Sequence, residues 1–169
     1  LPGTGSFAAA AWVRMGTDLP GKNAGDAVTL EEQNLLMNST EIVVSVYDGT
    51  TWTSTRLTND GTPDLAPATA VGGNGKAIVF WRSVYTPDPG TQGSNNLLNF
   101  TTRDCIMYRC YDSTNRNWSD AKMLYNGATG RVKALQAAMR RNRYGGLLAG
   151  SQRNRRYLRL RDRLLYRGC

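Results

Sequence analysis

A chain of 169 residues is long enough for one ordinary domain with a sizeable core, and its net charge of +8 points at first to nucleic acid or an anionic surface. The distribution removes that reading for most of the chain. Residues 1–130 carry nine Lys and Arg against twelve Asp and Glu, a net of −3, whereas residues 131–169 carry twelve against one, a net of +11. No histidine is present, which excludes a His general base and Ser-His or Cys-His dyads.

In chain order, "LPGTG" at residues 1–5 matches a sortase sorting signal by letters, but that signal works near a C-terminus. The adopted reading is a Pro-Gly turn before a strand. Residues 5–14 form an apolar strand bearing Trp12, and residues 17–33 a polar loop. Ile42, Val44 and Val46 then share one face of a strand that ends in Tyr47-Asp48-Gly49-Thr50, where Asp-Gly is a strong hairpin signal. Trp52 opens the return strand, which runs to Leu57. Residues 65–71 form a strand of small residues, and "GGNG" at 72–75 is a tight turn.

Residues 75–85 are apolar on both faces, Ala77, Val79, Trp81 and Tyr85 against Ile78, Phe80 and Val84, so a buried strand is predicted. Residues 86–99 are a second polar loop. In the following strand Ile106, Tyr108 and Cys110 oppose Arg103, Met107 and Arg109, which predicts a half-exposed strand with its core face on even numbers. Residues 112–117 repeat the turn at greater length, Trp118 opens the return to Leu124, and residues 132–138 are a short small-residue strand.

The order repeats. "EIVVSVYDGTTWTSTRLTNDG" lies over "CIMYRCYDSTNRNWSDAKMLYNG", and "GSFAAAAWVR" over "NGKAIVFWRS", a period of about 64–70 residues. Each unit holds a small-residue strand, an apolar Trp strand, a Tyr-Asp strand and a Trp-Ser/Thr strand. The fold class is therefore all-β: about two four-stranded antiparallel propeller-type blades over residues 1–138, forming an open fragment, with a basic C-terminal tail. Two blades cannot close a ring, so a piece of a longer protein with exposed strand edges is expected.

The "YDG…W-[ST]" hairpin followed by an "AIVFW"-like strand resembles β-propeller repeats of large exported bacterial proteins, and more distantly lectin and sialidase propellers. The Asp-box spacing of sialidases is not met: Ser45 lies three residues before Asp48, and Gly49 follows it directly. The resemblance implies a secreted or cell-surface, non-catalytic binding or scaffold module for a glycan or protein, with a glycosidase-type propeller as an alternative. Trp52 and Trp118, with Tyr47 and Tyr111, are the candidate ligand-binding residues. They are either sugar-stacking platforms or packing residues between neighbouring blades.

The tail, residues 139–169, reads in two ways. Arg153, Arg155, Arg156, Arg159 and Arg163 surround Tyr157, Leu160 and Leu164 at helical spacing, an arrangement that would suit nucleic acid or an anionic surface. Alternatively it is off-frame or disordered sequence. Read one nucleotide forward, its codons can encode a further Asp-Gly turn and a "YEIAY" strand like the earlier units.

Three cysteines give no closed disulfide framework. Cys105 and Cys110, on opposite faces of one strand and about 16 Å apart, cannot bond to each other. No cofactor, metal site, phosphate loop or transmembrane segment is expected. Asp112, Asn115, Asn117 and Asp120 lack the ligand pattern of a calcium loop. Asn38, Asn99 and Asn117 begin N-glycosylation triplets that composition alone explains.

Overall fold

The structure, a computed structural model, describes residues 3–4, 6–72, 75–84, 104–127, 132, 134–139, 152–153 and 156–157. It is mostly β, with two open antiparallel sheets and, among the described residues, one helix.

In the first sheet β1 (Gly3–Thr4), β2 (Phe7–Met15), β3 (Thr40–Tyr47) and β4 (Trp52–Arg56) lie side by side in chain order. In the second, β5 (Asp64–Val71), β6 (Lys76–Val84) and β7 (Asp104–Asp112) follow one another. The free edge of β7 carries β8 (Asn117–Trp118) and β9 (Lys122–Gly127). The two central hairpins share a register. Trp12 sits opposite Val43 and Trp81 opposite Met107; Tyr47 faces Trp52 and Tyr111 faces Trp118.

Because side chains alternate along a strand, each sheet has two distinct faces. The one bearing Trp12, Tyr47 and Trp52 in the first sheet, and Trp81, Tyr111 and Trp118 in the second, is called the front. The back of the first sheet packs on the front of the second. Ile42, Val44 and Leu57 meet Val79 and Trp81, with Ala11, Val13 and Met107 around them. Phe7, Ala9 and Val46 meet Val71, Ala77 and Tyr111, and the Phe7 and Tyr111 rings stack at 6.1 Å. The back of the second sheet (Ile78, Phe80, Ile106 and Cys110) is covered by Val132, Leu135, Ala137 and Met139.

Several expectations need correction. The polar loop at 17–33 runs into a helix, α1 (Leu30–Asn38), opened by a capping box: Thr29 Oγ1 accepts from Glu32 N, and Glu32 Oε2 accepts from Thr29 N. Its exposed, weakly patterned surface carries no apolar stripe, so periodicity could not reveal it. Residues 132 and 134–138 do not form a strand. They cover a sheet face instead, pinned where Asp104 Oδ2 accepts from Val132 N at 2.8 Å and Arg82 donates to Val132 O. β7 is not half-exposed with an even-numbered core. Cys105 and Tyr111 are buried as well as Ile106 and Cys110, because it is covered from both sides. Gly3 and Thr4 are strand rather than turn.

In β6, as predicted for a strand apolar on both faces, Ala77, Ile78, Val79, Phe80, Trp81 and Val84 are all buried. β5 follows its prediction too, with a bulge between Leu65 and Ala68 where Ala66 takes φ 51°. Pro67 in that bulge is tolerated because β5 is an edge strand. Cys105 is a buried thiol, so it is not joined to Cys110. The loop at 86–99 lies outside the described residues.

Candidate functional site

The two Tyr-Trp pairs sit on equivalent hairpins but in different surroundings. In the first, Asp48 Oδ1 accepts from Thr50 N and Thr51 N, and these amides hold its carboxyl below the usual range. Gly49, at φ 103°, makes the reversal that a side chain would strain. Tyr47 donates from its hydroxyl to Gly49 O at 2.8 Å and lies 5.3 Å from the Trp52 ring. Trp52 is 49 % exposed. The second turn uses the same device, Asp112 Oδ1 accepting from Thr114 N, with Arg116 at φ 50° in place of glycine.

Tyr111 and Trp118 are 5.1 Å apart, but Tyr111 is buried and Trp118 packs against both inter-sheet clusters. Burial raises the Tyr111 hydroxyl pKa. A shallow pocket of about 210 Å³ is lined by Tyr111, Asp112, Asn115, Asn117, Trp118 and Ser119. The structure therefore separates the four residues. Trp52 with Tyr47 forms an open platform, while Tyr111 and Trp118 hold the two sheets together. Trp12, which the sequence reading did not select, joins the open face and is 41 % exposed; its counterpart Trp81 is 2 % exposed.

Of the tail arginines, Arg153 and Arg156 lie opposite each other in a short antiparallel pair, β10 (Gln152–Arg153) with β11 (Arg156–Tyr157). Helical propensity is a weak prior, and at these positions it is overridden. Arg155, Arg159 and Arg163 lie outside the described residues.

A second constellation went unnoticed in the sequence. Glu41 begins the buried run of β3, Asp64 begins β5, and Asp60 lies on the link between the sheets. One carboxylate oxygen from each lies within 4.8 Å of the other two. Glu41 and Asp64 are buried and Asp60 is exposed. Arg56 Nη2 donates to Glu41 Oε1 at 3.1 Å, and the Trp81 indole N–H donates to Asp64 Oδ1 at 3.0 Å. Glu41 Oε2 and Asp64 Oδ2 are buried without a hydrogen-bond partner.

Burial pushes the Asp64 carboxyl up to about 7. The nearby Thr58 and Ser83 hydroxyls, which make no hydrogen bond to Oδ2, temper that rise, and the charges of Asp60 and Glu41 add to it. Alongside opens a pocket of about 320 Å³, lined in part by Arg56, Thr58, Asp60, Trp81 and Ser83. The available signal was faint: an acidic pair four residues apart around Gly61, and a glutamate heading an otherwise apolar strand.

No helix among the described residues is long and apolar enough to cross a membrane. No protein-family model, curated protein or solved structure matches the chain.

Proposed function

We propose that the chain is a non-catalytic binding and scaffold module, built of blade-like sheets stacked in one sense, whose open Trp-bearing face makes the functional contact. One observation carries this reading: Trp81 is covered by the neighbouring sheet, whereas Trp12 and Trp52 stand exposed on the equivalent face of the first sheet. Scattered exposed apolar residues need no explanation, but two exposed indoles spaced along the same sheet face, one beside Tyr47, favour a contact surface. Back-on-front packing supports the blade reading, since such an interface can be reused by each successive sheet, whereas a two-fold sandwich buries the same face of both partners. The module belongs to a secreted or cell-surface repeat protein, as the sequence resemblance implies. Flat, half-exposed indole and phenol rings suit the apolar face of a saccharide, so a glycan is the favoured ligand.

A glycan array probed with the intact chain tests this. Binding that is lost in Trp52→Ala and Trp12→Ala, with the far-UV circular dichroism unchanged, supports the proposal. Trp118→Ala is expected to loosen the fold rather than act selectively on binding. Failure to bind any glycan, or binding that is indifferent to Trp12 and Trp52, overturns the proposed ligand.

A further inference from the structure

The carboxylates of Glu41, Asp60 and Asp64 are better arranged for a ligand than for one another. We propose that they form a binding site for a hard divalent cation, with Ca²⁺ as the ion they fit. Two oxygens on opposite sides of a Ca²⁺ ion, each at about 2.4 Å, are about 4.8 Å apart. One oxygen from each carboxylate already lies within that span of the other two, so small side-chain adjustments would let one ion touch all three. Mg²⁺ demands oxygens at about 2.1 Å in a near-ideal octahedron and usually keeps several waters, so a mostly buried carboxylate cluster suits Ca²⁺ better.

Charge and burial point the same way. With all three carboxylates ionised, the cluster and the Arg56 guanidinium that pairs with Glu41 carry a net of −2, which a divalent ion neutralises. A buried carboxylate oxygen without a partner is costly, and here there are two, Glu41 Oε2 and Asp64 Oδ2. Their sister oxygens are held by Arg56 and by the Trp81 indole. Those contacts fix how the carboxylates point, as outer hydrogen bonds do around metal ligands. Asp60 Oδ1 is engaged by Thr62 N and Thr62 Oγ1, which fixes the exposed member at the mouth of the pocket. The donors are all oxygen, and the chain has no histidine, so the set suits a hard ion rather than zinc or copper. The ion would join the first sheet through Glu41 to the second through Asp64.

The test uses the full chain, stripped with a chelator and then titrated with CaCl₂, with MgCl₂ at matched ionic strength as control. At about 100 times the dissociation constant, Ca²⁺ should raise the melting temperature by roughly 5–10 °C. Tb³⁺ excited through the adjacent Trp81 indole should luminesce, and Ca²⁺ should quench that signal by displacement. Asp60→Asn keeps the Oδ1 acceptor for Thr62 at an exposed position, so the chain should still fold. It should weaken Ca²⁺ affinity at least about tenfold and cut the melting shift at the same Ca²⁺ concentration to about half or less. No Ca²⁺ response up to millimolar concentrations, an equal response in Asp60→Asn, or equal stabilisation by Mg²⁺ would each overturn the assignment.

Discussion

Trp12 and Trp81 occupy matching register positions, opposite Val43 and Met107, yet removing them should have very different consequences. Trp81 is 2 % exposed and packs among Ile42, Val44, Leu57 and Val79. Truncating a buried aromatic of this size to alanine costs about 3–5 kcal/mol. Its indole N–H also donates to Asp64 Oδ1. Losing that donor leaves a further buried carboxylate oxygen unmatched, at about 1–3 kcal/mol. Trp81→Ala should therefore lose about 4–8 kcal/mol, a large part of a typical domain's stability of about 5–15 kcal/mol. Trp81→Phe keeps most of the ring contact and forfeits the hydrogen bond, for an expected loss of about 2 kcal/mol. Trp12→Ala removes a side chain that is 41 % exposed and outside the clusters between the sheets, and should lose about 1 kcal/mol. Urea unfolding followed by far-UV circular dichroism, with chelator present, gives all three values. Equal losses at positions 12 and 81 would refute the reasoning, because they would mean that both Trp faces are equally covered.

Two further outcomes are expected from local chemistry. The carboxyl of Asp64, pushed from 3.8 up to about 7, holds a proton in the ion-free folded state that the unfolded chain releases. Stability is therefore greatest at the acid end of that window and declines as pH rises from about 4 through about 7, by at most about 4 kcal/mol. The lowered carboxyls of Asp48 and Asp112 act with opposite sign below about pH 4, outside this window. Asp64→Asn should flatten the decline in chelator-treated protein; a difference between wild type and variant that stays constant from about pH 5 to 7.5 in urea titrations would contradict it. At the first turn, Gly49→Ala forces a side chain onto φ 103° with its Cβ 3.1 Å from Ser6 Cβ, whereas Gly61→Ala at φ 73° meets nothing within 4 Å. Gly49→Ala should lose about 1–3 kcal/mol and more than Gly61→Ala; thermal melts showing the reverse order would count against the turn geometry.

The strands were legible in the sequence because their landmarks are local. Asp-Gly turns, Trp at strand starts and apolar runs flanked by polar clusters each depend on a few neighbouring residues. What escaped was set elsewhere in the chain. Trp52 and Trp118 look alike in sequence, and only the position of each sheet in the stack decides that one is open and the other enclosed. Glu41, Asp60 and Asp64 meet only when the link between the sheets folds back, so no spacing rule brings them together. The helix at Leu30–Asn38 is a different case. Its Thr29-x-x-Glu32 cap was readable, but an exposed helix without an apolar stripe gives periodicity nothing to detect. Residues 132–138 carry strand-like composition, yet residues 132 and 134–138 cover a surface rather than extend a ladder, and composition does not distinguish those two uses of an apolar segment.

The packing of one sheet's back on the next sheet's front gives the assembly a head and a tail. No ladder joins the two sheets among the described residues, so cohesion there comes from side chains and the connecting segment. An interface of this polarity is not complementary to itself, unlike the shared face of a two-fold pair. The back of the second sheet is the same kind of surface, and there the stretch around Val132 takes the place that a further sheet would fill.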